Sequence, residues 1–217
     1  MFVGHYSAAL AAKAIDPKAP LWAYIGAAQL IDIGWSSLVM AGVEKVSFDP
    51  ALPGSPLVLE HMPWTHSLPA AVAWSITGLL LARFLIRVPW SAAIMVGLVV
   101  FSHWGLDWLV HRPDLEIWPG GQKIGLALWN LPGAEKTLEM GLIALAGCAW
   151  LWKRGKHGRT AWPAMLFLGF LVALQMVGEF SEPAGDSFAF ARLGLTVYLA
   201  VTAVAWLADL GTNREAA

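Results

Sequence analysis

Apolar residues fall in long runs separated by short polar stretches, and this pattern predicts most of the structure. The first run, residues 2–15, is shorter than the roughly 20 residues that a helix needs to cross a bilayer, so it predicts a short N-terminal helix. Longer runs follow at 21–43, 67–86, 90–110, 134–152, 161–177 and 188–207. The last two are joined by Ser-Glu-Pro-Ala-Gly-Asp, a composition typical of a turn. We therefore predict an all-α polytopic membrane protein with about five transmembrane helices after the short N-terminal helix.

The composition supports this fold class. The 217 residues are 58% hydrophobic and 13% charged, whereas soluble domains carry about 25% charged residues. Many of the thirteen tryptophans lie near the ends of apolar runs, where indole rings favour the headgroup layer: Trp22, Trp90, Trp150, Trp152 and Trp162. We expect one integral membrane domain over residues 1–217, with a metal-site half at about 1–140 and a C-terminal helical hairpin at about 160–208.

Other features narrow the possible classes of protein. The single cysteine, Cys148, excludes an internal disulfide and a cysteine-based metal cluster. The N-terminus has no positive region before its apolar part, so a cleaved signal peptide is not expected. No basic patch with interleaved aromatic residues is present, and no nucleic-acid partner is expected. Membrane lipids are the expected surroundings, and the oligomeric state stays open.

Lysines and arginines predict the orientation in the membrane. The densest basic loop is 153–159, and the positive-inside rule places it in the cytoplasm. Alternate threading from this loop places Lys13, Lys18, Arg83, Arg87 and Arg214 on the same side, together with the C-terminus. Most acidic loop residues then fall on the outer side.

Histidines and aspartates suggest the chemistry. A helix brings residues four apart onto one face, so His103 and Asp107 project side by side from the 90–110 run. Ionisable groups at membrane depth are costly, and they usually line a cavity, pair together or hold an ion. The threading places five histidines near one depth toward the outer face, and Asp32 somewhat deeper. These five are His5, His61, His66, His103 and His111.

Such a set offers imidazole and carboxylate ligands without thiolates, which suits zinc, manganese or iron. A divalent cation would also compensate the buried carboxylates. The candidate metal ligands are His5, Asp32, His66, His103 and Asp107. His61 and Glu139 are the candidate catalytic residues, although Glu139 could equally position a ligating histidine or extend to the membrane surface. Thr65 is expected to cap the helix after His66.

Against a metal site, His-x-x-x-Asp is only a spacing that recurs by chance. His111 and Glu135 lie near the water interface and are expected to be solvated, and His157 is expected to be an ordinary surface residue.

These residues resemble the YdjM-like family of bacterial inner-membrane proteins, which are described as metal-dependent hydrolases. The matching elements lie in residues 1 to about 140: His5, Gln29-Leu30-Ile31-Asp32, His61 with Thr65-His66-Ser67, and Ser102-His103-x-x-Leu106-Asp107. The family is in turn similar to the zinc-dependent phospholipase C and single-strand nuclease superfamily. That similarity implies one metal among Asp32, His66, His103 and Asp107, with Asp107 also reaching a second metal beside His5.

The expected function is hydrolysis of a phosphoester in a lipid or lipid-linked substrate near the outer face of the inner membrane. Zinc is the expected metal, as one or two ions, with manganese as an alternative. The sequence contains no G-x-S-x-G motif, which agrees with a nucleophile supplied by metal-activated water. Two alternatives stay open. One is a proton- or cation-coupled transporter that uses Asp32, His103, Asp107 and Glu139, and the other is a scaffold whose polar groups only hold helices together.

Overall fold

The computed structural model describes residues 1–180 and 186–210, with side chains described as far as residue 208. Most of the predicted turn after residue 180, and Arg214, lie outside the described residues. Within them the chain forms the following α-helices: α1 (Tyr6–Ile15), α2 (Leu21–Ala28), α3 (Leu30–Met40), α4 (Leu68–Leu80), α5 (Trp90–Val110), α6 (Pro132–Lys156), α7 (Trp162–Phe180) and α8 (Ser187–Leu210). A 3-10 turn at Val3–His5 leads into α1, as the short first run predicts.

Four helical segments in this part of the chain are long and apolar enough to cross a membrane: Leu68–Ile86, Trp90–Val110, Trp162–Phe180 and Ser187–Ala208. The first consists of α4 and a π-helical continuation, Leu81–Ile86. Large apolar side chains on the outside of the bundle are strongly exposed, for example Leu85 (74%) and Leu145 (74%), and exposed apolar surface of this kind favours contact with lipid. The prediction of an all-α polytopic membrane protein is confirmed.

The apolar run 21–43 does not form the single helix that its length predicts. It divides into α2 and α3 at Gln29, whose backbone leaves helical geometry with φ −113° and ψ 11°. The Gln29 side chain donates a hydrogen bond to the Phe2 carbonyl oxygen at 3.2 Å. Both short helices pack against α8. Residues of this run therefore line the interior of the bundle, which explains why it tolerates Gln29 and Asp32.

The sequence pattern did not predict two antiparallel β-hairpins. The first pairs β1 (Lys45–Phe48) with β2 (Leu57–His61), and the second pairs β3 (Leu115–Glu116) with β4 (Lys123–Ile124). A second apolar core lies beneath them, with buried members on helices and strands: Trp35, Val39, Val46, Leu59, Met62, Val110, Leu115, Trp129 and Ala191. Strands of two to five residues are too short to show a convincing alternation in the sequence.

The hairpins and their connections cover the C-terminal end of α5. Backbone hydrogen bonds run from Leu126 to the Trp108 carbonyl at 2.8 Å and from Ala127 to the His111 carbonyl at 2.7 Å. Arg112 donates to the carbonyl oxygens of Pro53 at 2.7 Å and Ser55 at 3.0 Å, which ties the first hairpin to this end. The end of α5 is therefore shielded from water.

The larger core lies between the helices. α1 packs against α6 and α2, α4 packs against α5, and α3 packs against α8. The side chains at its centre are fully buried, among them Tyr6, Leu10, Tyr24 and Ile25. Because α1 is enclosed by its neighbours, the N-terminal segment that precedes it is held inside the bundle.

Candidate metal centre

Asp107 is the centre of a buried cluster of histidines. Its Oδ2 atom lies 3.1 Å from Nε2 of His103 and 3.5 Å from Nε2 of His66. Its Oδ1 atom lies 3.1 Å from Nε2 of His5 and 3.2 Å from Nε2 of His111. One carboxylate thus faces four imidazole nitrogens, two at each oxygen.

The helical repeat of α5 builds half of this cluster. His103, Asp107 and His111 follow one another at intervals of four residues, so they lie along one face of the helix or directly at its end. All three side chains are buried. His5 arrives from the N-terminal 3-10 turn, and His66 arrives from the loop before α4.

Asp32, on α3, completes a first group of ligand atoms. Its Oδ1 atom lies 3.5 Å from Nε2 of His66 and 3.4 Å from Nε2 of His103. With zinc bonds of about 2.1 Å, the ligands of a tetrahedral ion lie about 3.4 Å from one another. The separations between each of these two histidines and the two carboxylates, 3.1–3.5 Å, fit that spacing.

A second group surrounds the other oxygen of Asp107. His5, His103 and Asp107 each offer a ligand atom within 4.8 Å of the others. The nearby His111 adds a further imidazole nitrogen, and the Met1 backbone nitrogen lies 3.5 Å from Asp107 Oδ1. The rings of His5 and His103 stack with centroids 3.7 Å apart and an 8° angle between their planes. Such close stacking disfavours a positive charge on both rings at once.

Hydrogen bonds on the far side of the rings set which nitrogen carries a proton in His66, His103 and His111. Nδ1 of His103 lies 2.8 Å from the Ala28 carbonyl oxygen, which can only accept, so Nδ1 is the donor. Nδ1 of His111 donates in the same way to Oδ1 of Asp114 at 2.9 Å. In a neutral ring Nε2 therefore carries a lone pair, and it faces the carboxylate oxygens.

His66 is held by a relay of two side chains. The Thr65 hydroxyl donates to Oε2 of Glu44 at 2.7 Å, and its oxygen lies 2.8 Å from Nδ1 of His66. Because the hydroxyl proton is directed to Glu44, the oxygen accepts from Nδ1 of His66. Oε1 of Glu44 accepts from the backbone N–H groups of Trp64 at 2.9 Å and Thr65 at 3.1 Å. Burial raises the pKa of Glu44, although these hydrogen bonds and the nearby His66 oppose the shift. Ser67, not Thr65, is the residue that caps α4.

These contacts leave buried polar atoms that a cation would satisfy. Nε2 of His5, Nε2 of His103 and Oδ1 of Asp107 have no hydrogen-bond partner among the described residues. Protonation of a histidine can supply part of the positive charge that a cation would bring. Burial lowers the pKa of His66, but Asp107 and Asp32 outweigh that effect and raise it to about 9. Burial and the neighbouring His103 instead lower the pKa of His5 to about 4, so this ring stays neutral, the form that ligates a metal. The donor set and its spacing fit a divalent cation.

The structure brings together all five predicted metal ligands: His5, Asp32, His66, His103 and Asp107. It does not bring the two predicted catalytic residues to them. His61 is exposed on β2, opposite Lys45, and is not among the residues that converge on Asp107. His61 ends β2 on the exposed face of the hairpin, whereas His66, five residues later, is buried, and the linear sequence could not show this difference.

Glu139 is buried near the cluster, but its hydrogen bonds go to the backbone of the N-terminal segment and to the Gln175 side chain. Oε1 accepts from the N–H groups of Phe2 at 2.6 Å and Gly4 at 2.8 Å, and Oε2 accepts from the Gln175 side chain at 3.2 Å. Glu139 therefore holds the segment that carries His5, which matches the alternative role of positioning a histidine.

Two residues of the site were missed by sequence reasoning. His111 was expected to be solvated, yet it is buried and its ring stacks on Trp129 with centroids 4.1 Å apart. Its position four residues after Asp107 was the signal that could have revealed it. Glu44 gave no such signal, because its partner Thr65 lies 21 residues away in the chain.

Fold and cluster together define a polytopic helical membrane protein with a buried His/Asp centre of a type that could hold metal ions. The model of one protein family, the YdjM inner membrane protein, matches residues 1–208. The chain therefore belongs to the YdjM inner membrane protein family. No curated protein and no solved structure matches the chain.

Proposed function

We propose that this protein is a membrane-bound metal-dependent hydrolase that acts on a phosphoester of a lipid or lipid-linked substrate. The observation that carries the proposal is the geometry of Asp107, whose two buried oxygens each face two imidazole nitrogens at 3.1–3.5 Å. Unprotonated nitrogens and a carboxylate repel one another unless positive charge lies between them. A resident divalent cation would supply that charge.

The residues present would form two adjoining sites. Asp32, His66, His103 and one oxygen of Asp107 would hold the first ion, and the other oxygen of Asp107 with His5 and His111 would hold the second. Zinc suits this donor set, and manganese is the alternative. When bound, such an ion lowers the pKa of water toward neutrality and stabilises negative charge on a phosphoryl oxygen.

The protein side chains would bind, orient and shield the reacting groups. The Asp32 side chain is 15% exposed, whereas those of His5, His66, His103, Asp107 and His111 are at most 6% exposed. The substrate phosphate would therefore approach from the Asp32 side. The Nδ1 hydrogen bonds of His66, His103 and His111 fix their rings, so the acceptor nitrogens are oriented before a ligand arrives.

The location of the cluster supports a lipid-like substrate. His103 lies seven residues before the end of α5, which corresponds to about 10 Å along the helix. The centre would thus lie below the membrane surface, level with the upper part of one leaflet. The positive-inside rule supports an orientation with that leaflet on the outer side of the inner membrane, and with loop 153–159 and the C-terminus in the cytoplasm. Reporter fusions at the C-terminus test this orientation.

Metal analysis tests the central proposal. Protein extracted in mild detergent without chelator is expected to contain near-stoichiometric zinc or manganese by elemental mass spectrometry. His103→Ala and Asp107→Ala should lose it, together with hydrolysis of phospholipid in mixed micelles. His157→Ala is the matched control for metal content, since His157 is exposed and bonds only the Lys153 carbonyl among the described contacts. Metal-free protein that is equally stable and equally active would refute the proposal.

The transporter alternative predicts a different result. Ion or proton flux in proteoliposomes that disappears in Asp32→Asn, with no hydrolysis in the same preparation, would replace the hydrolase proposal. If alanine is tolerated at every cluster position with normal folding and no activity is lost, the scaffold alternative would replace it.

A further inference from the structure

A small pocket lined by basic side chains lies at one end of the bundle. Its volume is about 50 Å³, and its lining comes from the end of α1 and the turn after it, and from the end of α6 and the loop before α7: Lys13, Pro17, Trp150, Lys153, Arg154, His157 and Arg159. Four of the seven are lysine or arginine, one is histidine, and none is acidic. An anion is the ligand that this lining favours.

The pocket is separate from the candidate metal centre. Lys18, in the turn beside the pocket, donates to the Ser91 hydroxyl at 3.1 Å, near the start of α5. Asp107 lies 16 residues further along the same helix, about 24 Å away along the axis. The two sites therefore occupy opposite ends of the bundle, and the pocket does not depend on the proposed hydrolase function.

Two buried cations build the floor of the pocket. Nζ of Lys13 donates to the carbonyl oxygens of Ala19 at 2.7 Å and Pro17 at 3.2 Å. The Arg154 guanidinium donates twice to the Thr160 carbonyl, at 2.7 and 3.2 Å, and lies 5.6 Å from the Trp150 ring. These bonds fix the two loops around the pocket and bring their positive charge beneath it.

The remaining basic residues are accessible at the rim. His157 and Arg159 are exposed and Lys153 is half-buried. Nδ1 of His157 donates to the Lys153 carbonyl at 2.8 Å, which orders this part of the loop. An anion above the buried pair could therefore gain charge-assisted hydrogen bonds from the basic side chains at the rim.

We propose that this pocket binds the phosphodiester headgroup of an anionic phospholipid. Two exposed indoles near the lining residues in the chain support a lipid over a soluble anion. Trp152 (61% exposed) directly precedes Lys153 on α6, and Trp162 (64% exposed) begins α7, three residues after Arg159. Exposed tryptophan at this level is typical of the headgroup layer. Basic pockets between transmembrane helices recognise anionic headgroups in the same way.

Native mass spectrometry of the full chain in mild detergent tests this proposal. Dioleoyl-phosphatidylglycerol is titrated against dioleoyl-phosphatidylcholine, and the number and affinity of retained lipids are measured. The wild type should retain one phosphatidylglycerol in preference to phosphatidylcholine. The double variant Lys153→Gln/Arg159→Gln should bind phosphatidylglycerol about 25-fold more weakly, about fivefold for each cation lost. Lys13 and Arg154 are left unchanged because they support the fold.

Lys156→Gln is the matched control. It removes a cation from the same end of α6, but Nζ of Lys156 lies 3.8 Å from the Trp152 ring centroid and the residue does not line the pocket. This variant should bind as the wild type does. Equal loss in Lys156→Gln would overturn the proposal in favour of general surface charge, and unchanged binding in the double variant would also overturn it. Displacement of the lipid by millimolar inorganic phosphate would show a site for free phosphate instead.

Discussion

Glu44→Gln should weaken metal binding about 10- to 100-fold, the usual effect of removing a group that orients a ligating histidine. The change is nearly isosteric, and one amide oxygen can still accept from the backbone N–H groups of Trp64 and Thr65. The other oxygen, which accepts from Thr65 at 2.7 Å, becomes an NH₂ group that can only donate. The Thr65 hydroxyl must then turn its hydrogen toward His66.

That rotation changes the tautomer of His66. Nδ1, 2.8 Å from the Thr65 oxygen, becomes the acceptor, and the proton moves to Nε2. Nε2 faces Asp32 and Asp107 and is the nitrogen that would ligate the ion. Restoring the ligating tautomer leaves a buried donor or acceptor unsatisfied, at a cost of about 1–3 kcal/mol. Because 1.4 kcal/mol corresponds to a tenfold change in affinity, this cost agrees with the expected 10- to 100-fold weaker metal binding.

The assay is competition for zinc between purified protein and a chromophoric chelator. Nitrogen-15 NMR of the histidine rings, recorded above the His66 pKa of about 9 so that this ring is neutral, is a readout that needs no metal. Glu60→Gln is the control, because Glu60 is an exposed acid on the hairpin that begins directly after Glu44, and it accepts from Ser47 at 2.6 Å. Equal zinc affinity in Glu44→Gln and the wild type would refute the relay. Equal weakening by Glu60→Gln would show that only the overall charge matters.

Three further predictions concern the rest of the centre. His111→Ala should reduce the metal content from two ions to one and leave the first site intact, and loss of both ions would contradict separate sites. Chelator should lower the melting temperature seen by scanning fluorimetry, because an ion present at 100 times its dissociation constant stabilises the fold by about 2.7 kcal/mol; an unchanged melting temperature would contradict a resident ion. Glu139→Ala should destabilise the protein by at least about 2 kcal/mol in denaturant unfolding, since two backbone N–H groups lose their acceptor. Thr137→Ala, on the exposed face of the same helix, should change stability by less than half of that.

Helical periodicity and the cost of charge in lipid made much of the centre predictable. His103 and Asp107 lie four residues apart in an apolar run, so their shared face followed from the helix repeat alone. To predict that His5 and Asp32 converge on that face, two further features were needed. These were the order of the family motifs along the chain and the membrane depth at which each apolar run begins. The same spacing of four residues also predicts His111 on this face. It was left out because its position near the membrane interface was given more weight.

Other parts could not be predicted from local pattern. The break at Gln29 is accompanied by a hydrogen bond to Phe2, 27 residues away, and a local stretch of sequence cannot reveal such a contact. The hairpin on which His61 is exposed consists of strands of four and five residues. Long-range contacts therefore determine the positions of His61 and Glu44, whereas the spacing along one helix determines the positions of the cluster residues on α5.

The hydrogen bond from Gln175 to Glu139 has a consequence for how relatives of this protein can diverge. Through Glu139, this hydrogen bond connects α7 to the backbone of Phe2 and Gly4, and thus to the N-terminal segment that carries His5. Exchanging the C-terminal helices between family members would consequently change the position of the His5 imidazole, more than 130 residues earlier in the chain. Chimeras should be spliced with residues 139 and 175 taken from the same parent.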